Sequence, residues 1–346
     1  MKNSFKLLLV SSVMLASGLA LAQTPVPAPG AGAGRGAVPR AEWPPGYIDP
    51  AVPKAPYMPP STPLGTGPYK ALMASESAAG DFVIYHPANL TALGGRKLPV
   101  LVWGNGGCGY TGNSARHILT EIASHGYFVI AGGLMVNREE SENITMASNN
   151  PLRDPLAPPP PPEPRDPNTK SVTVAHLSKG IDWAIAENKR SASKFLNMLD
   201  TANIAVMGHS CGAGLASNFG NDPRVKTIAL WSGSQNGVST EELRNRIHAP
   251  TLIVAGDARY DIAFYGSLRA FESARTPRNP VIFAWRVNMT NLGTYRQADG
   301  GELAPIATGW LDWQLKGDQT AAKMFKGVEC GVCTKLGWHV QKKNID

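Results

Sequence analysis

The chain has 346 residues, of which 43% are hydrophobic and 17% charged, with a formal net charge of +7. That balance excludes a disordered polyelectrolyte and supplies enough apolar side chains for one large core. The basic residues are scattered, with a short Lys342-Lys343 pair near the end, and no basic patch with interleaved aromatics is visible, so nucleic acid is not an expected partner.

Residues 1–22 carry Lys2 and Lys6, then an apolar stretch, then Ala20-Leu21-Ala22 before Gln23. This pattern predicts a secretory signal peptide cleaved after Ala22, and its apolar part is too short to span a membrane. Nor is any other segment long and apolar enough to span. A secreted or periplasmic bacterial protein is therefore expected. Residues 23–67 are rich in Pro, Gly and Ala and poor in large apolar side chains, which predicts a flexible arm. Residues 68–346 remain for one α/β domain.

In that domain short β-rich runs alternate with helix-period segments, the sign of βαβ units and a largely parallel, doubly wound sheet flanked by helices. The expected strands are Phe82 to Tyr85, Pro99 to Trp103, Tyr127 to Ala131, Ile204 to Met207, Thr227 to Trp231, Thr251 to Ala255 and Val281 to Trp285. The expected helices are Ser114 to Ser124, Val172 to Glu187, Ala213 to Phe219, Thr240 to Arg246, Leu268 to Ala274 and Ala304 to Leu315. A Pro-rich insertion at about 150–170, including Pro158 to Pro162, reads as a polyproline-like surface excursion, because Pro can neither continue a helix nor donate to a ladder.

Four cysteines in an exported chain favour pairing. Cys330 and Cys333 form a C-x-x-C for which a local disulfide is expected, since a zinc site needs four ligands and only His339 lies nearby. Cys108 and Cys211 fall in two loops that should meet, and either a bridge or two small buried thiols would satisfy them.

The chemistry centres on Gly208-His209-Ser210-Cys211-Gly212, which joins the apolar run Ile204 to Met207 to the small residues Ala213 to Ser217. A Ser on a sharp strand-to-helix turn is exposed at a helix N-terminus and needs small neighbours, so Ser210 is a candidate nucleophile. Acyl transfer also needs backbone donors for the oxyanion and a carboxylate that orients a base. The Gly-rich run Trp103 to Gly109 follows a buried strand and offers the Gly106 N–H; the N–H of Cys211 is the second candidate donor. Past a later strand, Gly256-Asp257-Ala258-Arg259-Tyr260-Asp261-Ile262-Ala263 offers two acids. Asp261 is the candidate, while Asp257 could cap the turn or pair with Arg259. Trp103, Tyr110 and Trp231 lie near strand ends and are candidates for the wall of an acyl pocket, as are Trp285 and Tyr295.

Together the W-G-N-G-G-C loop, the G-H-S-C-G turn, the Asp-Ile-Ala loop and the W-L-D-W-Q-L-K-G-D segment at Trp310 to Asp318 resemble exported α/β-hydrolases. The relatives implied are dienelactone-hydrolase-like and polyester-hydrolase-like (cutinase-like) serine esterases. The resemblance implies an α/β-hydrolase fold, an acyl-enzyme on Ser210, a small-molecule or polymer ester as substrate, and no metal or organic cofactor. One position departs from the pattern. Where the family reads His-Leu-Gly-Thr-Tyr or His-Gly-Gly-Thr-Tyr, this chain reads Asn291-Leu292-Gly293-Thr294-Tyr295. Asn291 stands at the position of the usual base, and a carboxamide cannot take a proton from Ser. Two expectations follow: an impaired serine hydrolase, or a ligand-binding pseudoenzyme on the same scaffold. Of the seven histidines, His86, His176 and His248 have no motif around them, His117 and His125 read as helix-surface or helix-end residues, and His209 should point away from Ser210. His339 alone follows Asp261 in the chain order a triad requires, about fifty residues beyond the expected loop.

Overall fold

The structure is a computed structural model, and it describes residues 62–136, 170–233, 237–275, 279–295 and 297–345. The expected signal segment and most of the Pro-rich insertion lie outside the described residues, as does the arm up to residue 61.

The described chain folds as a mixed α/β structure around one nine-stranded, mostly parallel sheet. Its strands are β1 (Ala71–Ser75), β2 (Phe82–Pro87), β3 (Leu98–Gly104), β4 (Phe128–Gly132), β5 (Leu199–His209), β6 (Val225–Trp231), β7 (Thr251–Ala255), β8 (Val281–Arg286) and β9 (Trp338–Lys343). The spatial order is β1-β2-β4-β3-β5-β6-β7-β8-β9. From β4 to β8 every pairing is parallel, and antiparallel pairings occur only toward the two edges. Among the described residues seven α-helices accompany the sheet: α1 (Arg116–Ser124), α2 (Val174–Glu187), α3 (Cys211–Ala216), α4 (Thr240–Arg246), α5 (Phe264–Ser273), α6 (Leu303–Lys316) and α7 (Gln319–Ala322).

Both faces of the sheet are covered, which explains why the central strands read as unbroken apolar runs. Along β3, Leu101 and Trp103 join a core with α1 and α6, while Val100 and Val102 join a second core with α2, α4 and α5. This is the period-2 alternation of a strand applied to a sheet with no wet face. Local signals set the helix ends. Ser239 and Glu242 form a capping box at the start of α4, and Gly317, at φ 71°, closes α6 in the left-handed region.

The expected arm boundary moves. Leu64 bridges to Ala71, the Thr66 N–H donates to Glu121 Oε2 at 2.7 Å, and the Gly67 N–H donates to Ser124 Oγ at 2.9 Å. Residues 64–67 are thus fastened to the C-terminal end of α1 and belong to the domain rather than to an arm.

Candidate active site

Four loops meet at the carboxyl ends of parallel strands, where an open parallel sheet leaves room for ligands. They follow β3 (Gly106 to Tyr110), β5 (Ser210), β7 (Gly256 to Ala263) and β8 (Asn288 to Tyr295).

Ser210 occupies the turn from β5 into α3 with φ 53° and ψ −115°, a region an L-residue enters only under constraint and at about 1–3 kcal/mol. What holds it is local. Its N–H donates to the Trp231 carbonyl at 2.8 Å, and its own carbonyl accepts from the Ala213 and Gly214 N–H groups. The turn fits only because its neighbours lack side chains: a Cβ on Gly208 would lie 2.3 Å from the Gly212 oxygen, and one on Gly212 would lie 2.0 Å from the Gly104 oxygen. Ser210 is left partly exposed at a helix N-terminus.

The β3 loop is tied to this turn covalently. Cys108 and Cys211 form a disulfide with their Cα atoms 5.2 Å apart, and Cys330 and Cys333 form a second, so none of the four cysteines is free. Cys211 opens α3, so its N–H has no acceptor within the helix. Gly106 opens a short 3₁₀ turn in the same relation and lies beside His209, whose Nδ1 a Gly106 Cβ would approach to 2.6 Å. Both candidate donors thus lie at one junction. Asn105 fixes the loop from below, its amide donating to the Gly109 and Gly132 carbonyls at 2.9 and 2.6 Å.

Of the two acids, Asp261 reaches the β8 loop. Its buried carboxylate accepts from the Gly256 and Ala263 N–H groups at 2.8 Å each and from Asn291 Nδ2 at 3.0 Å. The second N–H of that amide points to the Ser232 carbonyl at 3.4 Å. Asp257 instead pairs with Arg259 and accepts the Asn288 N–H at 2.8 Å, joining the β7 and β8 loops. Burial pushes the Asp257 carboxyl up, but the Arg259 side chain and the Arg259 and Asn288 N–H groups together hold it below the usual carboxylate range.

His209 has a role the sequence did not display. Its Nε2 lies 2.8 Å from the Asn291 carbonyl oxygen and its ring packs on Tyr295 at 4.6 Å, so it connects the Ser210 turn to the β8 loop. The alternation of strand side chains gives a ring on the opposite face from its neighbour, but nothing in the sequence names the carbonyl it meets. Tyr295 is buried, and its phenol is pushed well above its usual range, first by burial and then by the Asp261 charge.

Three expectations need correction. Trp103 and Trp231 are 1% and 0% exposed and pack edge-on against Tyr295, so they form the core beneath the site and not an open wall. Tyr110 opens instead onto a neighbouring cleft with His176 and Lys170. His117 is buried rather than at the surface, whereas His125 pairs with Glu121 at 3.0 Å at the end of α1. His339 lies on β9, exposed and stacked on Trp285. Four strand spacings separate β9 from β5, about 19 Å, which takes His339 out of reach of Ser210.

Among the described residues no group of three His, Cys, Asp or Glu side chains is arranged to hold a metal ion, and no helix is long and apolar enough to cross a membrane. No protein-family model matches the chain, and a search of curated proteins finds no significant match to it.

Proposed function

We propose that the chain is an exported α/β-hydrolase of the serine class that forms an acyl-enzyme on Ser210 from carboxylic esters or related acyl bonds, with turnover depressed by Asn291. The observation that carries this reading is the turn itself. A serine held at φ 53° between a central strand and a helix, and partly exposed, is the arrangement a nucleophile elbow requires. The disulfide between Cys108 and Cys211 supports it, because the N–H after the nucleophile and an N–H from the preceding loop must converge on one acyl oxygen. Paired cysteines favour an oxidising compartment, in keeping with the apparent signal segment.

In this mechanism Ser210 Oγ attacks the acyl carbon and passes its proton to solvent water, and the carbonyl oxygen takes up negative charge between the Gly106 and Cys211 amides. The bond to the leaving oxygen breaks as that oxygen takes a proton from water, and a second water then hydrolyses the acyl-enzyme to the free acid and Ser210. A complete triad would take the Ser210 proton on an imidazole oriented by Asp261. Here Asn291 keeps the bond to Asp261 but offers no basic nitrogen. In a serine protease, loss of the base alone costs about 10⁶ in kcat and leaves about 10³–10⁴ over water, drawn from the oxyanion donors and binding. The Asp261–Asn291 bond also favours a second reading, a protein that binds acyl-bearing ligands in the same site without turning them over.

A series of p-nitrophenyl esters of increasing chain length, run beside Ser210→Ala, tests the proposal. The expected result is slow release with a chain-length preference that disappears in Ser210→Ala. Release unchanged by that substitution would remove the acyl-enzyme from the account, and saturable ester binding with no release at all would select the second reading.

A further inference from the structure

Beside the candidate active site, the start of β2, the start of α2 and the chain just past Cys108 border an open cleft of about 550 Å³, a size usual for small-ligand sites. One wall is a run of rings. His176 packs against Phe82 at 4.5 Å and, more nearly parallel, against Tyr110 at 5.4 Å, while the Tyr110 hydroxyl donates to the Asp81 carboxylate. Trp183 lines the same cleft.

Two ammonium groups stand at this wall. Lys170 Nζ lies 5.5 Å from the centre of the Tyr110 ring, and Lys179 sits one helical turn beyond His176. Neither forms an ion pair among the described residues. Among the described residues the cleft is lined by these two cations and one carboxylate, Asp81, whose oxygen accepts from the Tyr110 hydroxyl and keeps its charge, so the lining carries a net positive charge of one. Burial lowers the His176 pKa below its usual value, so near pH 7 that ring is a neutral stacking surface and not a third cation.

We propose that this cleft binds a planar aromatic carboxylate, its ring laid along the aromatic wall and its anion held by Lys170 and Lys179. Offset stacking selects a flat ring over a puckered one, and the charge-assisted bonds select an anion over an alcohol of the same shape. The site is separate from the Ser210 turn yet joined to it. Gly109 bridges to Ser171 and the Val172 N–H donates to the Cys108 carbonyl at 2.9 Å, so a ligand here rests against the loop that continues into the disulfide.

Binding is measured on the full chain carrying Ser210→Ala, so that ester chemistry plays no part, by calorimetric titration with 2-naphthoate, 2-naphthalenemethanol and cyclohexanecarboxylate. One saturable site for 2-naphthoate is expected, with both other probes weaker by about fivefold or more. Lys179→Gln should weaken 2-naphthoate by about threefold and reduce its salt dependence, and His176→Ala should weaken it by about fivefold. No saturation by 2-naphthoate up to about 10 mM would overturn the proposal. So would equal affinity for the alcohol, or an affinity that neither Lys179→Gln nor His176→Ala changes.

Discussion

Asn291 donates its side-chain N–H to Asp261 at 3.0 Å, so the acid keeps an oriented hydrogen-bond donor whose other end cannot accept a proton. If that is the missing function, a base supplied from solution should restore part of it. In Asn291→Gly, free imidazole has room beside Asp261. Its addition should raise Ser210-dependent ester release by about tenfold or more, a fraction of the 10²–10⁴ that a positioned base supplies. The unaltered protein, with the carboxamide in place, should gain from imidazole only what the buffer adds to uncatalysed hydrolysis, its own slow Ser210-dependent release being unchanged. Equal imidazole responses in both proteins would argue against the Asn291 site.

The two disulfides should contribute very unequally to stability. Cys108–Cys211 closes a chain separation of 103 residues and Cys330–Cys333 one of 3. By loop-closure entropy the first is worth about 4–5 kcal/mol and the second far less. Cys108→Ser with Cys211→Ser should therefore lower the urea midpoint substantially, while Cys330→Ser with Cys333→Ser should leave it near the starting value. Comparable losses would show that strain or denatured-state structure outweighs loop length.

Two glycines in one helix make a sharper test of the elbow packing. A Cβ on Gly212 would lie 2.0 Å from the Gly104 carbonyl oxygen, backbone against backbone, whereas a Cβ on Gly214 meets nothing within 4 Å. Gly212→Ala should displace the Ser210 turn and cost several kcal/mol, while Gly214→Ala should be neutral or stabilising by up to about 1 kcal/mol. Thermal melts of the two variants read this directly.

The buried parallel strands were legible because both faces of each are covered, so β3, β4, β6, β7 and β8 read as continuous apolar runs. β1 was missed because Ala-Leu-Met-Ala is composed of helix formers without a β-branched residue, and its pairing with β2 overrides that preference. β9 was missed for the opposite reason: Trp-His-Val-Gln-Lys-Lys carries edge-strand lysines that look like solvated tail. In the site, the Ser210 turn and both loops joined by Cys108 and Cys211 could be picked out from glycine spacing. The His209 contact with the Asn291 carbonyl could not, since it joins residues 82 positions apart. The burial of Trp103 and Trp231 was also hidden, because residue type near a strand end does not say which side of the site faces water.

Asp257 should give the β7 and β8 loops an acid-sensitive fastening. Its folded carboxyl is more acidic than the unfolded one, so its contribution is present above about pH 4 and is lost as pH falls through the depressed folded value. Asp257→Asn removes that dependence. Unfolding free energies of the two proteins should differ most near neutral pH and converge toward about pH 2. A difference that stays constant over that range would mean that the carboxyl titrates alike in the folded and unfolded chains.

Placing an imidazole at position 291 tests the central claim most directly. Asn291→His should raise p-nitrophenyl ester hydrolysis by about 10³ or more, since a positioned base acts through a site otherwise assembled, and adding Ser210→Ala should abolish the gain. Its melting temperature should stay within about 5 °C of the starting protein, because the new side chain keeps the bond to Asp261. A folded Asn291→His variant with no gain on any short-chain ester, or a gain that survives Ser210→Ala, would contradict the account.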